Sequence, residues 1–134
     1  MTFDWATLLT LLTAIASSVA AAYSAKSALD SRRDTRGQFA LTLARELGNL
    51  YPISPTNANA DDVRAALNTL DTVALSVELG LADFDVVRAL MGDAFLVTYE
   101  ELEATGVIAE YSLTGWNILS DHQAATRLYD RLRV

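Results

Sequence analysis

An uncharged segment near the N-terminus constrains this chain more than any other feature. Residues 5–25 contain no acidic or basic side chain, and Asp4 and Lys26 border them. A helix rises about 1.5 Å per residue, so a segment of this length spans about 30 Å, the thickness of the hydrocarbon core of a bilayer. Trp5 and Tyr23 lie near its two ends, where aromatic side chains favour the membrane interface. The segment therefore predicts a transmembrane helix.

Two other structures fit the same segment. A cleaved signal peptide ends in small residues, as the alanines at 20–22 do, but it begins with basic residues, and here no Lys or Arg precedes the span. An alanine-rich helix of a soluble domain also packs into a core. We favour the retained transmembrane helix over these two alternatives.

Basic residues follow the span, and we call them the basic collar: Lys26, Arg32, Arg33 and Arg36. Basic residues next to a span are enriched on its cytoplasmic side. We therefore expect a single-pass protein of the bacterial inner (cytoplasmic) membrane, with its N-terminus outside. Residues 1–30 would form the membrane helix and the start of the collar, and residues 31–134 a helical cytoplasmic domain.

Small side chains gather on one side of the span at the helical period of 100° per residue. We call this side the small-residue face: Thr10, Ala14, Ser17, Ser18, Ala21 and Ala25. Small residues let two helices approach closely in lipid, so the face predicts a homo-oligomer formed through the first helix. The alternative is that alanine and serine are simply frequent in this chain.

The remaining sequence has helical periodicity throughout. The first helix is expected to continue past the membrane to residue 50, with an apolar stripe at Phe39, Ala40, Leu43, Leu47 and Leu50, before a loop over residues 51–59. A second helix begins near Asp61, and Gly80 suits the left-handed residue that follows its end. Its predicted buried residues are Val63, Leu67, Leu70, Ala74, Val77 and Leu81.

Two further helices complete an all-α fold. Asp83 is the expected N-cap of a third helix over residues 84–105, whose apolar face comprises Val87, Leu90, Met91, Ala94, Val97 and Leu102. The pattern Ser120–Gln123 matches a capping box for a last helix buried through Ala125, Leu128, Tyr129 and Leu132. Trp116 is expected to cover the core. The prediction is a membrane helix that continues into a small antiparallel bundle of three to four helices.

Acidic residues dominate the middle of the chain. The net charge is -7, and residues 47–110 contain only Arg64 and Arg88 as basic residues. This balance argues against a nucleic-acid partner, which requires an excess of positive charge. An acidic group near the end of the third helix predicts either a face for a basic protein partner or a solvated surface: Glu100, Glu101 and Glu103.

Residue patterns typical of catalysis or metal binding are sparse. The chain has no cysteine and one histidine, so thiolate chemistry and multi-histidine metal sites are excluded. Ser120, Asp121 and His122 are adjacent on a helix and point about 100° apart, so they cannot form a relay. Asp83 and Asp85 lack the spacing of a calcium loop. We expect no cofactor, no metal and no enzymatic activity.

Residues 64–80 (RAALNTLDTVALSVELG), followed by DFDVV at 83–87 and YEEL at 99–102, resemble a group of small bacterial membrane-anchored proteins with an uncharacterised all-helical cytoplasmic domain. The shared features are Asn68 and Asp71 on one helix, Gly80 in the turn and Asp83 at the next helix start. The resemblance implies the fold and the membrane location. It implies no activity.

These observations predict a membrane-tethered helical interaction or scaffold module that binds a protein partner or itself, with the lipid bilayer as its first partner. Two alternatives fit the same sequence. One is a phage-type membrane-active protein, such as a holin-like or lysis accessory factor. The other is a soluble helical subunit whose first helix packs in an assembly.

Overall fold

The computed structural model describes residues 4–134, and contacts between residues divide the chain after Thr35 into two compact units. This division lies slightly beyond the boundary after residue 30 that the basic collar suggested. The elements in chain order are α1 (Trp5–Gly48), α2 (Ala60–Glu78), α3 (Phe84–Glu103), β1 (Val107–Ile108), β2 (Leu113–Thr114), α4 (Gly115–Ser120) and α5 (Gln123–Leu132). The predicted all-α class is confirmed.

Helix α1 contains 44 residues and continues past the apolar segment, as expected. Asp4 caps its N-terminus, because the carboxylate accepts a hydrogen bond from the backbone N–H of Ala6 at 3.0 Å. No proline interrupts the helix, and Gly37 alone does not break it. In its last turns Ala40, Leu43 and Leu47 are buried in the core, which confirms the centre of the predicted stripe.

Helix α2 begins one residue before the predicted start because Asn59 caps it. The Asn59 side chain accepts a hydrogen bond from the backbone N–H of Asp61 at 2.8 Å. Most of the predicted apolar face is buried, but Leu81 is 51% exposed because the helix ends at Glu78. Gly80 has a φ of 71° and occupies the left-handed region, as predicted.

Helix α3 starts at the predicted position, and three of its six predicted core residues are buried: Val87, Met91 and Leu102. The buried residues are Val87, Met91, Gly92, Phe95, Tyr99 and Leu102. Leu90 and Val97 are 46% and 54% exposed, and Ala94 is exposed too, so the predicted place of these three residues in the core is wrong. The helix thus has two apolar stripes, one with Phe95 and Tyr99 and one with Leu90 and Val97. Contacts with α2, α4 and α5 decide that the first is covered.

Residues 105–122 form structure that the sequence patterns did not predict. β1 and β2 pair as an antiparallel two-stranded sheet, with Val107 opposite Thr114. The Thr114 hydroxyl then caps α4 by accepting a hydrogen bond from the N–H of Asn117 at 3.2 Å. The predicted capping box is therefore wrong, because Ser120 ends α4 and donates its hydroxyl to the carbonyl of Asn117.

The core of the second unit is centred on Phe95, which is completely buried. Tyr99 of α3 and Tyr129 of α5 stack with their ring centroids 4.1 Å apart. The predicted buried face of α5 is confirmed at all four positions: Ala125, Leu128, Tyr129 and Leu132. Trp116 is 57% exposed, so it does not cover the core, and the buried side chain from α4 is Leu119.

Candidate functional site

The apolar part of α1 is the most distinctive surface of the molecule. α1 is the one helix among residues 4–134 that is long and apolar enough to cross a membrane by length and composition. No residue of its most apolar window is buried within the structure. Val19 is 64% exposed, and the aromatic side chains of Trp5 and Tyr23 are 72% and 75% exposed. Large apolar side chains thus lie on the surface along this part of the helix.

Three hydroxyl groups of this segment are hydrogen-bonded to the helix itself. The side chains of Thr10 and Thr13 each donate a hydrogen bond to the carbonyl four residues earlier at 2.8 Å, and Ser18 does the same at 2.9 Å. A hydroxyl without a partner in hydrocarbon costs several kcal/mol, on the order of 4–8 by transfer to cyclohexane. These internal bonds reduce that cost and make the segment compatible with lipid.

The small-residue face lies on the exposed surface of α1, and all six of its residues are solvent-accessible: Thr10, Ala14, Ser17, Ser18, Ala21 and Ala25. Two of these side chains, Thr10 and Ser18, are the ones turned back onto the helix carbonyls. The face therefore consists of small side chains that project little from the helix backbone. Its role in helix association stays a prediction.

The basic collar is also exposed along α1, at Lys26, Arg32, Arg33 and Arg36. Within residues 4–134 the structure pairs none of these four side chains with a carboxylate, since its ion pairs all lie in the second unit. The collar cations therefore remain available to groups outside the chain.

The acidic residues near the end of α3 are partly used inside the fold. Glu100 accepts a hydrogen bond from the Tyr129 hydroxyl at 3.0 Å, and Glu101 faces the backbone N–H of Ile53 at 3.5 Å. Burial of Tyr129 raises the pKa of its hydroxyl, and the hydrogen bond to Glu100 raises that pKa further. A basic partner would compete with these contacts at Glu100 and Glu101 but not at Glu103. The predicted acidic partner face stays a prediction.

A histidine–aspartate pair joins α2 to the start of α5. The ring Nδ1 of His122 is hydrogen-bonded to a carboxylate oxygen of Asp71, and both side chains are about three-tenths exposed. These residues are 51 positions apart, so no local pattern could have revealed the pair. The carboxylate that His122 contacts is therefore that of Asp71 on another helix, and not that of its neighbour Asp121.

A second ion pair joins the same two helices farther along. Arg127 of α5 donates a hydrogen bond from Nε to Glu78 of α2 at 2.7 Å. This hydrogen bond lowers the pKa of the Glu78 carboxyl, and the attraction of the Arg127 charge acts in the same direction. The pair is largely exposed, so its contribution to stability is small. Together with Asp71–His122 it links α5 and its N-cap residue to α2.

Two grooves flank the junction of α4 and α5. One has a volume of about 370 Å³ and includes Tyr99, Trp116 and Gln123 in its lining. The other, of about 310 Å³, lies beside the histidine–aspartate pair and includes Arg64, Asn68 and His122. Among residues 4–134 no group of three or more His, Asp or Glu side chains is arranged to hold a metal ion. Both grooves are lined by apolar side chains together with several polar or charged ones.

No protein-family model, no curated protein and no solved structure matches this chain. The resemblance to small membrane-anchored helical proteins therefore stays a prediction. Function has to be inferred from the surfaces of the molecule.

Proposed function

We propose that this chain is a single-pass membrane protein that tethers a small helical interaction module to the bilayer. The observation that carries the proposal is the exposure of the apolar segment of α1. Burying a large apolar side chain is worth about 1.5–3 kcal/mol, so a row of uncovered ones seeks a nonpolar environment. Insertion into a bilayer supplies that environment for the whole circumference of the helix.

The exposed segment also favours this proposal over a soluble core helix. A core helix is mostly covered by its own domain, whereas the most apolar window of α1 is not covered by any described residue. Packing against other subunits in a soluble assembly would have to cover every side of the segment. A bilayer does so without a specific partner, and the hydroxyls of Thr10, Thr13 and Ser18 are already bonded to helix carbonyls.

The basic collar supports a definite orientation. Its four cations follow the span, and the only charge described before the span is Asp4. By the positive-inside preference, the N-terminus would lie outside and the helical domain in the cytoplasm of a bacterial cell. A protease added to intact spheroplasts should therefore leave a C-terminal tag uncut, and lysis should expose it. Cleavage of the tag without lysis would reverse the orientation.

The helical domain would act by binding a protein. Its surface carries excess negative charge over residues 47–110 and apolar side chains such as Leu90, Val97 and Trp116, which are 46%, 54% and 57% exposed. Exposed aromatic and aliphatic side chains rimmed by charge are typical of protein-binding surfaces. The domain is also larger than a holin-like function requires.

Alkaline carbonate extraction tests the membrane anchor. The full chain should stay in the membrane pellet, and a chain that starts at Ser31 should be soluble and helical. Mass spectrometry of the pelleted protein should find residues 5–25 still attached, because a cleaved signal peptide would be missing. Full-length protein in the soluble fraction without detergent would refute the proposal.

A further inference from the structure

Two arginines of the basic collar have no acidic neighbour on the helix surface. Residues three and four positions apart are neighbours on a helix. At these spacings the neighbours of Arg32 are Ala28, Leu29, Thr35 and Arg36. The neighbours of Arg36 are Arg32, Arg33, Phe39 and Ala40. Neither set contains a carboxylate. Lys26 and Arg33 differ, because each has Asp30 at such a spacing.

The acidic side chains of the same segment point the other way. At about 100° per residue, Arg32 and Arg36 lie about 40° apart, whereas Asp30 and Asp34 lie about 120–160° from them around the helix. All four side chains are exposed. This part of α1 thus has a cationic side and an opposite anionic side.

The arginine pair itself lacks compensation within the structure. Like charges at positions i and i+4 repel and destabilise a helix by a few tenths of a kcal/mol, about 0.2–0.5. Arg32 and Arg36 stand in this relation, and no described carboxylate forms an ion pair with either. An anion between the two guanidinium groups would turn this repulsion into attraction.

Helix geometry directs these side chains toward the membrane. The Cα–Cβ bonds of a helix tilt toward its N-terminus, and the apolar segment of α1 lies on that side of the arginines. Arg32 follows the last residue of the uncharged segment by about 10 Å of helix rise. Long arginine side chains extend toward the headgroup layer while their stems lie along the helix.

We propose that Arg32 and Arg36 form a binding site for the phosphate groups of anionic phospholipids in the cytoplasmic leaflet. Guanidinium groups bind phosphate oxygens through two parallel hydrogen bonds, which suits a phosphodiester headgroup. Asp30 and Asp34 lie on the other side of the helix from the two arginines, so their charges are farther from a phosphate held between the guanidinium groups. The inference rests on the proposed membrane anchor and names the lipid class that the anchor selects.

The test compares lipid selectivity in bilayers that contain the full chain. The chain is reconstituted in phosphatidylcholine with spin-labelled phosphatidylglycerol or spin-labelled phosphatidylcholine, and electron spin resonance gives the relative association of each lipid with the protein. The natural chain should select phosphatidylglycerol. Arg32→Gln with Arg36→Gln should reduce this selectivity several-fold, with about fivefold per arginine as the upper bound for a charge at an anionic surface.

A matched variant removes the same charge elsewhere. Arg45→Gln with Arg88→Gln changes two exposed arginines that form no ion pair within residues 4–134, and it should leave the selectivity unchanged. Equal losses in both variants, or no loss in either, would overturn the lipid site. If the natural chain is extracted from membranes by carbonate, the membrane anchor itself is wrong. A chain that resists carbonate but shows no selectivity refutes only the lipid site.

Discussion

Replacing Gly115 by alanine should destabilise the helical domain more than the same change at any other described glycine. A Cβ at this position would lie 1.7 Å from the carbonyl oxygen of Leu102, inside the backbone at the end of α3. Real carbon–oxygen contacts require roughly twice that separation, because dispersion attraction is optimal near 3.5 Å. The obstacle is backbone, so no side-chain rotation relieves it.

The expected loss in the free energy of unfolding follows from the separation of the Gly115 segment from the end of α3. The N–H of Gly115 donates a hydrogen bond to the carbonyl of Thr105 at 3.0 Å, and moving these two segments apart would break it. A hydrogen bond contributes about 0.5–1.5 kcal/mol, and forced overpacking costs about 1–3 kcal/mol. We expect a loss of about 2–4 kcal/mol in the free energy of unfolding. This is a large part of the total of about 5–15 kcal/mol for a typical domain.

The assay is urea unfolding of the full chain in a nonionic detergent, followed by circular dichroism. Gly37→Ala is the matched control, because nothing lies within 4 Å of its Cβ and it sits inside α1. It should raise helix stability by up to about 1 kcal/mol. Gly92→Ala meets its neighbours at 3.7 Å, an ordinary contact, and should have little effect. Equal midpoints for Gly115→Ala and Gly92→Ala would refute the steric reasoning.

Three other predictions concern the helix surfaces. Ala14→Leu with Ser18→Leu should weaken self-association of the span in a bacterial two-hybrid assay more than Leu12→Ala with Val19→Ala does, because bulky side chains separate two backbones; the opposite order would place the contact on the other face. Asp71→Asn and His122→Asn should show a coupling energy of about 0.5–3 kcal/mol in a double-mutant cycle of unfolding, and additive effects would contradict a direct contact. Glu78→Gln should be less stable than the natural chain at neutral pH. The difference in stability should shrink as the pH falls below 4.5, the ordinary pKa of this carboxyl group. The reason is that a group whose pKa is lowered in the folded state loses its stabilising effect as it becomes protonated. A difference that grows on acidification would refute the Glu78–Arg127 contact.

The sequence alone determined the elements whose signals are local. The uncharged segment made the first part of α1 apolar and helical, and Gly80 marked the left-handed turn after α2. The period of apolar residues identified the buried face of α5, where only one side of the helix is apolar. These features depend on residues within a few positions of each other, so periodicity and backbone preference suffice to predict them.

The tertiary structure decided every feature in which two segments compete or meet. Helix α3 has two apolar stripes, and packing against other helices selected the one containing Phe95 while leaving Val97 exposed. Around Gly115 the chain approaches the end of α3 so closely that the hairpin and α4 form where the sequence suggested only a helix start. The pairing of Asp71 with His122 likewise joins residues far apart in the chain. Such contacts require the whole fold, because a local pattern contains no information about the surface that will lie opposite it.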